Sequence, residues 1–220
     1  MVKVKICGIT NLADAEAAVA AGADYLGFIF YPPSKRAANE DDVREIVRLL
    51  RSGKRCPLLV GVFVDESGEK MAEVLDHCDL DLAQLSGEAV PGLIGDERSP
   101  VYGRAFKSLR PTSLPEAEAD VEWYLAPQRQ FPGQPSLLID TYHPTLRGGT
   151  GETGDWSLSA GLAKKVRRLM LAGGLTADNV AEAVRQVQPY AVDVASGVEA
   201  APGKKDQALV RAFIEKAKGA

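Results

Sequence analysis

The chain has 220 residues, 45% hydrophobic and 25% charged, enough for one sizeable core in a single α/β domain spanning 1–220. Its net charge of -4 argues against nucleic-acid binding, which needs clustered Lys and Arg, and no apolar run reaches the ~18–20 residues that span a bilayer. Three cysteines without C-x-x-C spacing and two histidines suggest neither a disulfide framework nor a metal site, and with no secretory leader pattern the expected compartment is the cytoplasm.

In chain order, β-branched runs at 2–6, 25–30, 58–64, 80–85, 101–107, 136–139, 169–171 and 190–194 read as eight strands. Helical patterns fall between them, and the first is the best marked. Asn11 stands where an N-cap belongs, Asp14 falls in the first turn, and an Ala-rich body stops at Gly22. Asn39 and the acids at 40–42 start the second helix, which ends before Gly53. Further helices are expected at 69–78, 158–168, 177–187 and 205–218, whereas 88–98, with two glycines and a proline, is a poor one. Residues 110–135 hold five prolines around a helical stretch at 116–124, and 141–155 form a second long, glycine-rich connection. Long connections of this kind often carry function.

Strands that alternate with helices need crossovers, and crossovers imply parallel pairing. Eight such units predict a (β/α)8 barrel. The alternative is an open doubly wound sheet, but no G-x-G-x-x-G opens the first helix.

Active sites of such barrels gather at the C-terminal ends of the strands. Cys7, Asp140 and Asp193 occupy such positions. Each also has a plainer reading: a lone Cys at a strand end is a small buried hydrophobe, and an Asp there is a cap or turn residue. Cys56 and Cys78 lie away from that face and read as structural. Two turns follow the seventh and eighth strands, one with Gly173-Gly174 and one with Ser196-Gly197. Barrels commonly hold phosphate there, where glycine lets backbone N–H groups approach the oxygens. Arg36, after the second strand, is either a planar fork for a carboxylate or a solvated base. Lys204-Lys205 read as capping or solvating the start of the last helix.

Ordered motifs along nearly the whole chain resemble the phosphoribosylanthranilate isomerase family of tryptophan biosynthesis. They are Lys5-Ile6-Cys7-Gly8-Ile9-Thr10, Gly27-Phe28-Ile29-Phe30 with Ser34-Lys35-Arg36, and Val60-Gly61-Val62-Phe63-Val64. Gln84-Leu85-Ser86-Gly87-Glu88, Leu138-Ile139-Asp140, Gly148-Gly149-Thr150-Gly151 with Asp155-Trp156, Ala172-Gly173-Gly174-Leu175 and residues 192–199 continue the series. The resemblance implies an Amadori rearrangement of a small phosphoribosyl substrate with no cofactor; charge and hydropathy leave neither nucleic acid nor membrane as an expected partner, and barrels of this kind are monomers or homodimers. It also implies Cys7 as general base, Asp140 as general acid, Arg36 on the anthranilate carboxylate, Asp193 on the substrate, and Gly173, Gly174, Ser196 and Gly197 on the phosphate.

That chemistry asks for a protonated Asp140, favoured by burial or a nearby negative charge, and a thiolate at Cys7, favoured by cations or backbone N–H groups. The chain departs from the family pattern at Ser86, where His is common, and at Gly154, where an aromatic is common. Two other functions compete. The related histidine-pathway isomerase takes a bisphosphate substrate and has an aspartate at the first strand end, against which Cys7 and the single phosphate signature count. A phosphosugar-binding barrel without catalysis is the other, opposed by the joint presence of Cys7, Asp140 and Arg36.

Overall fold

Eight strands, β1 (Lys3–Cys7), β2 (Tyr25–Phe30), β3 (Leu58–Val64), β4 (Leu82–Ser86), β5 (Ala105–Leu109), β6 (Leu137–Asp140), β7 (Leu169–Ala172) and β8 (Ala191–Val194), pair in sequence order. Every pairing is parallel, and β8 returns to β1 from Lys3↔Ala191 to Ile6↔Val194, so the sheet closes as a barrel. The computed structural model describes residues 1–125, 131–140 and 156–220. The (β/α)8 expectation holds, and the open sheet is excluded by the β1–β8 ladder.

Both faces of such a sheet are buried, and the period-2 alternation of each strand divides the core in two. Val4 and Ile6 of β1 join a shell between barrel and helices, while Tyr25, Val60, Leu82, Phe106, Leu138 and Met170 fill the interior. The outer shell is completed by α1 (Leu12–Ala21), α2 (Glu40–Arg51), α3 (Gly68–His77), α4 (Gly92–Gly95), α5 (Leu114–Tyr124), α6 (Ser157–Ala163), α7 (Val180–Val187) and α8 (Gln207–Lys218). Among the described residues no helix is long and apolar enough to cross a membrane.

The helix ends follow the sequence signals closely. Asn11 accepts the Asp14 N–H at 2.9 Å, a cap worth ~1 kcal/mol, and Gly22 stops α1 with φ +98°. The segment at 88–98 yields only the single turn of α4, as its glycines and proline led one to expect.

Four boundaries differ in ways that matter. β1 and β6 run one residue further than expected, so Cys7 and Asp140 lie inside the ladder, opposite Gly27 and Ala172 respectively. β5 starts at Ala105 instead of 101, because the chain turns at Val101–Arg104 with Gly103 at φ +75°. Lys204–Lys205 do not open the last helix: Asp206 caps α8, accepting the N–H groups of Ala208 and Leu209, and the two lysines form β10. β10 pairs antiparallel with β9 (Glu199–Ala201), a hairpin the sequence reading lacked.

This hairpin is tied to the first βα unit. Thr10 Oγ1 donates to the Gly203 carbonyl at 2.6 Å, and the buried Asp14 carboxylate accepts the Lys205 N–H at 2.9 Å. At the opposite end of the barrel, Tyr25 and Tyr190 both donate to the Gly133 carbonyl, and Phe131 packs on the interior cluster. Residues 131–134 thereby plug the bottom.

Candidate active site

At the C-terminal ends of the strands the barrel opens into a cavity of about 820 Å³. Its lining joins Cys7 of β1, Asp193 of β8, Gln84 and Ser86 of β4, and Asp140 of β6. Cys7 and Asp140 stand on strands three places apart around the ring, across the mouth from each other. Three candidates separated by more than 180 residues of chain are thus brought into one space. Ala172 and Ala195, which lead into the two glycine turns, also reach the lining.

Lys5 shares the Cys7 face of β1 and is fully buried. Its Nζ donates to Asp193 Oδ1 at 2.9 Å and to Gln84 Oε1 at 2.9 Å, so a polar layer spans β1, β4 and β8 directly under the cavity. Burial alone would lower the Lys5 ammonium, yet Asp193 and Cys7 hold it above the ordinary lysine value. For Cys7 the balance runs the other way. Burial pushes the thiol up, Lys5 opposes this by charge and hydrogen bonding, Asp193 adds to the rise, and Lys205 opposes it; the net position is above an ordinary thiol. The resting group is therefore a thiol with a cation already beside it.

Arg36 is no solvated base. Its Nε and Nη2 fork the Glu199 carboxylate with contacts of 2.8, 3.1 and 2.7 Å, leaving Nη1 outside the fork. Gly8 makes this possible: at φ +74° it lacks the Cβ that would stand 2.8 Å from Arg36 Cδ. Lys205 completes the cluster, donating to Glu199 at 2.9 Å and to the Ala195 carbonyl at 3.0 Å with its side chain buried. Burial would raise the Glu199 carboxyl, but hydrogen bonds from Arg36 and Lys205 hold it below the usual carboxylate range. The reading of Lys205 as a solvated residue is thereby corrected; only Lys204 is exposed.

Asp140 meets Arg110, whose Nε lies 2.9 Å from Oδ2, so a cation stands beside it where the sequence reading asked for burial or a negative charge. The Arg110 side chain is 78% exposed. Water screens the pair from the Arg110 side, whereas the Asp140 side chain is only 17% exposed.

The two glycine turns are packed together. Gly173 and Gly174 take φ of +98° and +63°, which side chains other than glycine's rarely adopt, and a Cβ on Gly197 would collide with the Leu175 carbonyl. Ser196 opens the single 3-10 turn Ser196–Val198. Ser86 lies in the lining, whereas Gly154, with the motif at 148–151 and Asp155, falls outside the described residues.

The residues missed as functional were Lys5, Gln84, Glu199 and Lys205. A signal existed for the first: in a closed barrel no strand face is solvated, so a lysine two residues before a strand end is buried and needs partners.

A family model described as N-(5'-phosphoribosyl)anthranilate (PRA) isomerase matches residues 4–216. An N-(5'-phosphoribosyl)anthranilate isomerase of Pelobacter propionicus is 44% identical over 220 residues, covering 99% of this chain and 96% of its own. The crystal structure of phosphoribosyl anthranilate isomerase from Thermotoga maritima superposes with a TM-score of 0.85 at 40% identity, with 100% of both chains covered. Another, of the isomerase in complex with reduced 1-(o-carboxyphenylamino)-1-deoxyribulose 5-phosphate, gives 0.82 at 38% identity, again over the whole of both chains. A closed parallel barrel with Cys7 and Asp140 facing each other over its mouth, and full-length identity well above 30%, lead to one conclusion: this chain belongs to the phosphoribosylanthranilate isomerase family.

Proposed function

We propose that residues 1–220 act as one catalytic domain that converts N-(5-phosphoribosyl)anthranilate into 1-(2-carboxyphenylamino)-1-deoxyribulose 5-phosphate, in the cytoplasm and without a cofactor. The observation that carries the residue roles is the shared cavity: Cys7 and Asp140 line the same space from opposite walls.

The rearrangement needs one acid and one base. Asp140, protonated, delivers its proton to the ribose ring oxygen; the C1–O bond breaks and a protonated Schiff base forms with the anthranilate nitrogen. Cys7, as thiolate, removes the proton from C2, the electron pair neutralises the iminium, and an enolamine results. Tautomerisation of the enolamine places a proton on C1 and a carbonyl at C2. The acid and base carry the reaction because each bears on a different atom of one bound molecule.

Arg36 holds the anthranilate carboxylate through Nη1, the edge that the Glu199 fork leaves. The turns at Gly173-Gly174 and Ser196-Gly197 hold the phosphate, and Asp193 lies against the substrate from β8. Arg36→Met is expected chiefly to raise KM, since the carboxylate is bound alike in ground and transition states. An unchanged KM removes Arg36 from the carboxylate site.

The decisive assay generates the substrate in situ from anthranilate and phosphoribosyl pyrophosphate with the corresponding transferase, and follows the loss of its fluorescence. Acceleration by the folded protein is the expected result; none at all refutes the activity.

A further inference from the structure

A base at Cys7 needs a cation to hold its charge, and the groups that act on the sulfur come from every side. Lys5 on β1 and Lys205 on β10 favour the thiolate, and Asp193 on β8 opposes it. Arg36, from the loop after β2, feels the thiolate in turn, whereas β2 itself presents only Gly27 and β4 the neutral amide of Gln84. Lys205 is largely committed elsewhere, to Glu199 and the Ala195 carbonyl. Lys5 is fixed from below by Asp193 and Gln84, and its ammonium borders the same space beside Gly27 as the sulfur.

Gly27 shapes the contact. A Cβ on this residue would stand 2.8 Å from Cys7 Sγ and 3.2 Å from Lys5 Nζ, so the missing side chain leaves the pocket that sulfur and ammonium share. Stability alone does not account for the arrangement. A buried ion pair generally does no better than well-packed hydrophobic residues of the same volume, because desolvation of both charges offsets their attraction. A lysine with two polar partners, buried completely under the reacting centre, has another use.

We propose that Lys5 is the positioning residue for Cys7: anchored by Asp193 and Gln84, its ammonium shares the space beside Gly27 with the sulfur and stabilises the negative charge that Cys7 carries when it takes the C2 proton. This rests on the reading of Cys7 as the base. Lys5 touches no substrate atom; it acts through the thiol. Asp193 has a second role in consequence, since it keeps Lys5 charged in a place where burial alone would favour its neutral form.

The test is the pH dependence of Cys7 alkylation by iodoacetamide in the substrate-free enzyme, read on the Cys7 peptide by mass spectrometry so that Cys56 and Cys78 do not interfere. In Lys5→Met the midpoint is expected to rise by about one pH unit or more, the usual effect of removing an opposite charge within about 4–6 Å. The limb of the kcat/KM profile governed by Cys7 moves with it, and KM changes by less than about twofold, as fits a loss confined to the transition state. If Lys5→Met does not fold, Lys5→Met/Asp193→Asn replaces it, leaving no unpaired buried charge. There the midpoint still rises, by less, because the opposing carboxylate has gone too. A folded variant of either kind with an unmoved midpoint overturns the role of Lys5. That outcome is separable from failure of the base assignment, which shows as full activity in Cys7→Ala.

Discussion

Cys7→Ala is expected to lower kcat by at least about 100-fold, the lower range for a lost general base, which corresponds to ~2.7 kcal/mol of barrier. The change removes only the sulfur from a residue that is 5% exposed, so folding is retained and circular dichroism is expected to match the parent. Asp140→Asn is expected to do the same from the other wall, because the amide keeps the shape of the carboxyl but cannot deliver its proton. Steady-state kinetics on both variants decides the matter. Near-parental kcat in either, with folding intact, would reassign that role.

Gly197→Ala is the second large effect, and it acts through the backbone. The added Cβ meets the carbonyl of Leu175, which belongs to the turn after β7 and has no rotamer with which to withdraw. One of the two glycine turns must therefore shift off the other. Overpacking of this kind costs ~1–3 kcal/mol, which for a chain of this size lowers Tm by roughly 2–12 °C. KM is expected to rise by at least about tenfold, the equivalent of ~1.4 kcal/mol of lost phosphate binding. Gly92→Ala is the control, since nothing stands within 4 Å of its Cβ position. Thermal melts and KM values indistinguishable between the two variants would mean that the fit of the turns does not matter.

Much of this was legible in the sequence because strand and helix periods, caps and glycine stops are local signals. Asn11, Gly22 and Asn39 each mark a helix end where the structure has one. The placement of Cys7, Asp140 and Asp193 at one barrel end follows from the same periodicity, since strands that run parallel share their C-terminal side. What could not be read is pairing across the ring. Lys5 and Asp193 are 188 residues apart, and Arg36 and Glu199 are 163 apart. Nothing local in Lys204-Lys205 separates a solvated pair from a hairpin with one buried ammonium, because the difference is made by Asp14 and Glu199. β5 was misplaced for a related reason: Val101 is apolar because it packs in the outer shell as part of a turn, not as a strand residue.

The plugged floor has a consequence for traffic through the molecule. Phe131 and the Gly133 carbonyl stop the barrel at one end, while Phe106, Leu138 and Met170 fill its middle. No through-passage exists among the described residues, so arrival and departure use the same doorway. Each turnover must clear the vestibule before the next molecule enters, so product still seated there excludes substrate.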